Sequence, residues 1–255
     1  MFKQRVGELA KRPHIVAADA PVAQACDVMA REGVSCLAAV RGARVVGFVT
    51  EGALIRRLDV DLDPAAPVHD FFIPIAASAP RDLAVSEAVK TMLEHRQRLL
   101  PVTDLGGGLL GVVTERELVD ALAVDFMVEN VACRTIMRTD PVTLAPTRPV
   151  REALSLMRLK SADCVLAVEA GRPVGIFSER DASVRLLGRP ERLAESLAGH
   201  MSAPVIGVPV EAMVYKVILF MRQKKVRRLA ILEADGSLAG LLTQRDILSY
   251  SRRMV

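Results

Sequence analysis

One short motif is stated four times at a fixed period, and this constrains the chain more than any other feature. Gly47-Phe48-Val49-Thr50-Glu51, Gly111-Val112-Val113-Thr114-Glu115, Gly175-Ile176-Phe177-Ser178-Glu179 and Gly240-Leu241-Leu242-Thr243-Gln244 all read Gly, apolar, apolar, Thr or Ser, Glu or Gln. Their glycines lie 64, 64 and 65 residues apart. A second pattern keeps the same phase. Val22, Ala25, Cys26 and Met29 are spaced i, i+3, i+4, i+7, as are Val85, Ala88, Val89 and Met92. The spacing returns in Val150, Ala153, Leu154 and Met157, and again in Val214, Val217, Ile218 and Met221. Each set is the buried stripe of an amphipathic helix. A fixed period of this length means a repeat architecture.

The remaining elements follow from local signals. Each copy opens with a proline and a short apolar stretch, at Pro13, Pro74, Pro141 and Pro204. After the amphipathic helix come an apolar run, a Gly-containing turn and a second apolar run, which read as two adjacent strands. The Thr or Ser of the motif then caps a second helix. The expected fold class is α+β, with four βαββα units of about 60 residues. Their expected bounds are 1–62, 63–124, 125–190 and 191–255. Units this small bury little surface alone. Pairing of copies one and two, and of copies three and four, is therefore expected, with a boundary near Asp125.

Composition narrows the function classes. The 255 residues are 51% hydrophobic and 25% charged, with formal net charge +4. That supports a packed core and a mild attraction for polyanions. Aromatics reach only 4%, with no Trp, which counts against base stacking on aromatic platforms. Mean hydropathy is +0.28, yet no apolar run approaches the roughly 18–20 residues of a spanning helix. The start, Met1-Phe2-Lys3-Gln4-Arg5, has no apolar signal core, so a soluble cytoplasmic protein without membrane association is expected. Cys26, Cys36, Cys133 and Cys164 form no C-x-x-C pair, so they read as small core residues and not as metal ligands.

The opening Pro-Val-Thr strand, the Val-x-x-Ala-Leu-x-x-Met helix and the Gly-x-x-Ser/Thr-x-x-Asp motif resemble the cystathionine-β-synthase (CBS) domain. A tandem pair of such units resembles a Bateman module, and the resemblance covers nearly the whole chain. It implies two modules, each a pseudo-twofold pair with an inter-repeat cleft where an adenosine-containing ligand binds. It also implies self-association through the helices framing the pair, hence a homodimer.

The residues themselves suit such a ligand. The motif glycine allows close backbone approach, and the hydroxyl with the first helical N–H groups suits a phosphate. A carboxylate three residues on can accept both hydroxyls of a ribose. Copies three and four keep the full set: Ser178, Arg180 and Asp181, then Thr243, Arg245 and Asp246. Copy two offers a weaker set in Thr114, Arg116 and Glu117, with Arg98 ahead of its strand, and copy one has Gly52 and Ala53 instead. Thr143 stands where the family's Pro-Val-Thr residue faces the ligand, with Ile206 in copy four and Ala76 in copy two taken as its counterparts. Arg227 and Arg228 end a run of five cations and resemble a family position beside the nucleotide phosphates.

The expected function is regulatory energy sensing. AMP, ADP or ATP would bind chiefly in the C-terminal module, with no cofactor required, and a shape change would pass to a regulated partner or through self-association. NAD, S-adenosylmethionine and cyclic dinucleotides carry the same adenosine, and the motif does not choose among them. A ligand-free dimerisation scaffold is one alternative, since the motif can be only a strand-to-helix cap with first-turn carboxylates. A nucleic-acid binder is another, resting on the basic run. With no paired nucleophile and base, no P-loop and no metal cluster in the sequence, no catalytic residue is expected.

Overall fold

The structure, a computed structural model, describes residues 4–42, 44–56 and 63–253. The expected bound at residue 62 and the first three residues of the chain lie outside them. Each copy follows one plan. Copy one has strand β1 (Ile15–Ala17), helix α2 (Val22–Glu32), β2 (Cys36–Arg41), β3 (Arg44–Thr50) and α3 (Glu51–Ile55), preceded by the short helix α1 (Val6–Leu9). Copy two has β4 (Ala79–Pro80), α4 (Val85–Glu94), β5 (Leu99–Thr103), β6 (Leu109–Thr114) and α5 (Glu115–Ala121), with an added helix α6 (Ala123–Glu129). After helix α7 (Cys133–Ile136), copy three has β7 (Thr143–Leu144), α8 (Val150–Leu159), β8 (Cys164–Glu169), β9 (Arg172–Ser178) and α9 (Glu179–Leu186). Copy four has β10 (Gly207–Pro209), α10 (Val214–Lys224), β11 (Arg228–Leu232), β12 (Leu238–Thr243) and α11 (Gln244–Ser251).

The strands form four three-stranded sheets, in each of which the opening strand pairs parallel to the second and the second antiparallel to the third. The helical stripes read from spacing are the buried residues of α2, α4, α8 and α10. Met29 and Met92 are wholly buried, each contributing about 1.5–3 kcal/mol over an exposed side chain. The hairpin turns place Gly42, Gly107, Gly171 and Gly236 at positive φ, where a Cβ would be strained. No helix among the described residues is long and apolar enough to cross a membrane.

The copies gather into two compact units, which do not follow chain order. The odd unit comprises Pro13–Pro74 and Pro141–Val205, hence the bodies of copies one and three. The even unit comprises Met1–Arg12, Ile75–Asp140 and Ile206–Val255, hence copies two and four. The candidate residues of copy three stand in the odd unit and those of copy four in the even unit.

The segment leading into each copy belongs to the unit of its tandem neighbour. In α1, Val6 and Gly7 donate N–H groups to the carbonyls of Leu83 and Arg81 in copy two. Cys133 and Arg134 of α7 do the same to Ala212 and Val210 in copy four. Val68 and His69 bind Ala20 and Ala18 in copy one, and Leu197 and Ala198 bind Arg148 and Pro146 in copy three. Each leading segment then runs beside the third strand of that neighbour. Lys11 bridges Val112, Arg138 bridges Leu241 and Ser202 bridges Ile176, while Ile73 donates its N–H to the Phe48 carbonyl.

This close approach accounts for the repeated glycine. A Cβ on Gly111 would lie 2.6 Å from the Lys11 carbonyl oxygen, and one on Gly240 would lie 2.4 Å from that of Arg138. On Gly47 and Gly175 it would meet the Phe72 ring and the Met201 sulfur, each at 2.4 Å. In this structure the glycine makes room for the leading segment, where the sequence had suggested room for a ligand.

Candidate functional site

The motif's Thr or Ser ends the third strand and caps the second helix. In copy three the Ser178 N–H and hydroxyl both donate to Asp181 Oδ2, at 2.9 and 2.6 Å. In copy four the Thr243 N–H and hydroxyl donate to Asp246 Oδ2 at the same distances. Copy two repeats the capping box with a longer arm, the Thr114 N–H and hydroxyl donating to Glu117 Oε2. Such reciprocal bonds satisfy helix N-terminal donors. In copy one Thr50 accepts from the Ala53 N–H at 3.2 Å, and no carboxylate follows.

The second oxygen of each carboxylate is also engaged. Asp181 Oδ1 accepts the Ser202 hydroxyl at 2.7 Å, with Arg185 at 3.6 Å. Asp246 Oδ1 accepts Arg138 Nε at 2.7 Å, and Glu117 Oε1 accepts Lys11 Nζ at 2.9 Å. Burial would raise the Glu117 carboxyl, but hydrogen bonds from Thr114 and Lys11 outweigh it and hold it below its ordinary value.

The motif arginines point to partner copies. Arg180 Nε donates to Glu51 Oε1 at 2.9 Å and its Nη2 to the Val34 carbonyl at 2.6 Å, tying copy three to copy one. Arg245 Nη1 donates to Glu115 Oε1 at 2.9 Å and lies 3.5 Å from the Gln97 carbonyl, tying copy four to copy two. In the ligand-free protein both guanidinium groups, expected beside a ligand, are held by the neighbouring copy. Gly52, read as a loss in copy one, leaves room for the Glu179 carboxylate, 2.5 Å from where its Cβ would stand. Arg116 is half-buried near Asp120.

Strand register revises the opening-strand candidates. Thr143, exposed on β7, lies opposite Leu166, and the residue in that place in copy four is Gly207, opposite Ala230. Ile206 falls one residue earlier. Its carbonyl accepts the Ala230 N–H at 3.1 Å and its side chain packs against the core. Side chains alternate along a strand, so a one-residue shift changes which face a residue presents.

The same register explains copy two. Leu166, Ala230 and Ala38 each donate an N–H to the opening strand, but their counterpart is Pro101, which has none. Gln97 supplies the missing donor. Its Nε2 donates to the Ala77 and Leu99 carbonyls, and its Oε1 accepts from the Ala76 and Ala77 N–H groups. Ala76 is thereby part of a side-chain clamp. Arg98 and Arg227 occupy equivalent places, their carbonyls accepting the Glu115 and Gln244 N–H groups, and Arg228 begins β11. The exposed cations Arg222, Lys224 and Lys225 precede them, with Lys224 Nζ 5.7 Å from the Phe220 ring centroid.

Sequence reasoning missed the partners of these groups: Glu51, Glu115, Lys11, Arg138, Ser202 and Gln97. The acidic fifth position of the repeat was visible, as was a proline inside a strand run. Cys26, Cys133 and Cys164 are buried, and burial pushes the Cys26, Cys36 and Cys133 thiols up to about 12.

Comparison with known proteins places this architecture. The CBS domain pattern matches residues 6–60, 68–124, 133–188 and 194–253. Protein MJ1225 of Methanocaldococcus jannaschii, described as a candidate archaeal homologue of γ-AMPK, superposes with TM-score 0.84 at 18% identity, covering 97% of this chain and 100% of that one. An uncharacterized conserved protein of Pyrococcus horikoshii gives 0.68 at 19% identity, over 97% and 99%. Among relatives in sequence, the uncharacterized protein MK0525 of Methanopyrus kandleri is 32% identical over 128 residues, 49% of this chain and 65% of that protein. The aligned part spans 43% of the uncharacterized protein MJ1404 of M. jannaschii. With four matched copies covering most of its length, the chain belongs to the CBS-domain family.

Proposed function

We propose that this protein is a regulatory binder of an adenine nucleotide, taking AMP, ADP or ATP at the strand-to-helix turns of copies three and four. The observation that carries this reading is the pair of intact turns, Ser178 with Asp181 and Thr243 with Asp246, each opening an eight-residue helix. The carboxylate suits the ribose diol, and the hydroxyl with the helix N-terminus suits a phosphate. Thr143 stands on the opening strand of copy three, and Arg227 and Arg228 supply cations in copy four. Copy two keeps a weaker set and copy one lacks the carboxylate. The output passes to a partner protein or through self-association, because a ligand that prefers one arrangement of the copies shifts its population.

A thermal-shift panel of AMP, ADP, ATP, NAD and S-adenosylmethionine tests this, since a ligand bound only by the folded state raises the midpoint. A rise of several degrees with an adenine nucleotide is expected, lost in the Asp181→Ala, Asp246→Ala double variant. One specific observation favours a second reading, a ligand-free scaffold: both aspartates and both motif arginines are already hydrogen-bonded within the protein. No shift with any panel member supports the scaffold.

A further inference from the structure

The four copies differ in one correlated way. Where the helix start carries a carboxylate, the leading segment beside it carries a hydrogen-bond donor: Lys11 for Glu117, Arg138 for Asp246 and Ser202 for Asp181. Where that position is Ala53, the equivalent leading residue is Ile73, held through its backbone to Phe48. The pairs meet although they lie 106, 108 and 21 residues apart in sequence. Each leading residue also sits within a few positions of the place where the chain leaves one compact unit for the other, after Arg12, Asp140 and Val205.

In copies two, three and four one carboxylate oxygen is committed to the capping box, and the leading residue holds the second. A ribose diol offers two O–H donors and needs acceptors on that same group. We propose that Ser202 and Arg138 are built-in occupants of the ligand carboxylates of copies three and four, displaced when a diol binds. Displacement loosens the leading segment beside the crossing between units, and this converts occupancy into a change along the chain. The inference rests on the nucleotide reading above and adds how that site is regulated. Charge ranks the two sites. Arg138 competes as a cation in direct hydrogen bond and Ser202 as a neutral hydroxyl, while Arg185, 3.6 Å from the same Asp181 oxygen, stays on its own helix, so the copy-three site opens at lower ligand concentration.

Calorimetric titration of the full chain with AMP and with 2′,3′-dideoxy-AMP tests this, alongside hydrogen exchange at the Arg138, Leu241, Ser202 and Ile176 amides. Arg138→Leu, which keeps bulk and removes the donor, should tighten AMP at one site by about tenfold while leaving dideoxy-AMP unchanged. AMP should accelerate exchange at the four amides. Wild-type binding of AMP with no tightening in Arg138→Leu overturns the proposal. If wild type binds no adenosine compound, the nucleotide reading fails by itself. The leading-segment contact is then judged on Asp246→Asn without ligand: faster exchange at Arg138 and Leu241 upholds it, and unchanged exchange refutes it.

Discussion

In the odd unit copies one and three keep separate apolar cores, with Ile55 of copy one reaching into that of copy three. In the even unit one continuous core runs through copies two and four. There Phe126 of the added helix α6 is wholly buried, packed against Tyr250 with ring centroids 6.1 Å apart. Both units also carry an arginine-to-glutamate tie at equivalent places, Arg180 to Glu51 and Arg245 to Glu115. The setting differs, because the Glu51 side chain is 2% exposed and that of Glu115 is 16% exposed. Where the apolar cores of the copies stay separate, the ion pair between them has the more deeply buried carboxylate.

The largest expected effect is on that pair. Arg180→Ala removes two hydrogen bonds between copies, one of them to a buried carboxylate, and should cost about 3 kcal/mol. Arg245→Ala should cost about 1 kcal/mol, with water taking over part of the role. Urea denaturation of the two variants measures this, and equal losses would break the comparison.

The sequence carried the fold farther than it carried the site. Periodicity named every buried residue of the four amphipathic helices, because a helix stripe is a local property of spacing. The helix caps at Ser178 and Thr243 were legible for the same reason. The contacts of copy one with copy three and of copy two with copy four were not, since nothing local says that Arg180 meets a glutamate 129 positions away. Nor did the glycine declare its neighbour. A Gly before a helix looks alike whether a ligand or the Arg138 carbonyl approaches it, and only the leading segments, folded onto their tandem neighbours, decide the matter.

Those glycines give the second test. Gly240→Ala drives a methyl into a backbone carbonyl that is itself bridged to β12, so the ladder must shift. A loss of about 2 kcal/mol is expected, within the range for overpacking. Gly175→Ala meets the Met201 thioether, which can turn aside on its flexible arm. Its loss should stay below about 1 kcal/mol. Thermal melts of both variants sharpen the contrast between the backbone seal of the even unit and the side-chain seal of the odd one, and the reverse order would remove it.

The smallest effect concerns acid. Glu117 has its carboxyl held below the ordinary value of 4.5 because hydrogen bonds from Thr114 and Lys11 outweigh burial. A depressed acid adds stability that is fully present above its unfolded value and disappears as pH falls through the lower folded one. The Lys11 contact in the even unit should therefore weaken only below about pH 4.5. Copy one supplies the contrast, with Ala53 at the carboxylate position and Ile73 bound through its backbone, so this place has no carboxylate to protonate. Hydrogen exchange at the Lys11 and Val112 amides, against that at Ile73, reads the difference between pH 6 and pH 4 after correction for intrinsic rates. Protection should fall at Lys11 and hold at Ile73. Glu117→Gln should flatten the dependence, because an amide keeps a hydrogen-bond acceptor for Lys11 but has no proton to gain. Equal acid sensitivity at both places would mean that the carboxylate does not hold the leading segment, and that backbone pairing alone does.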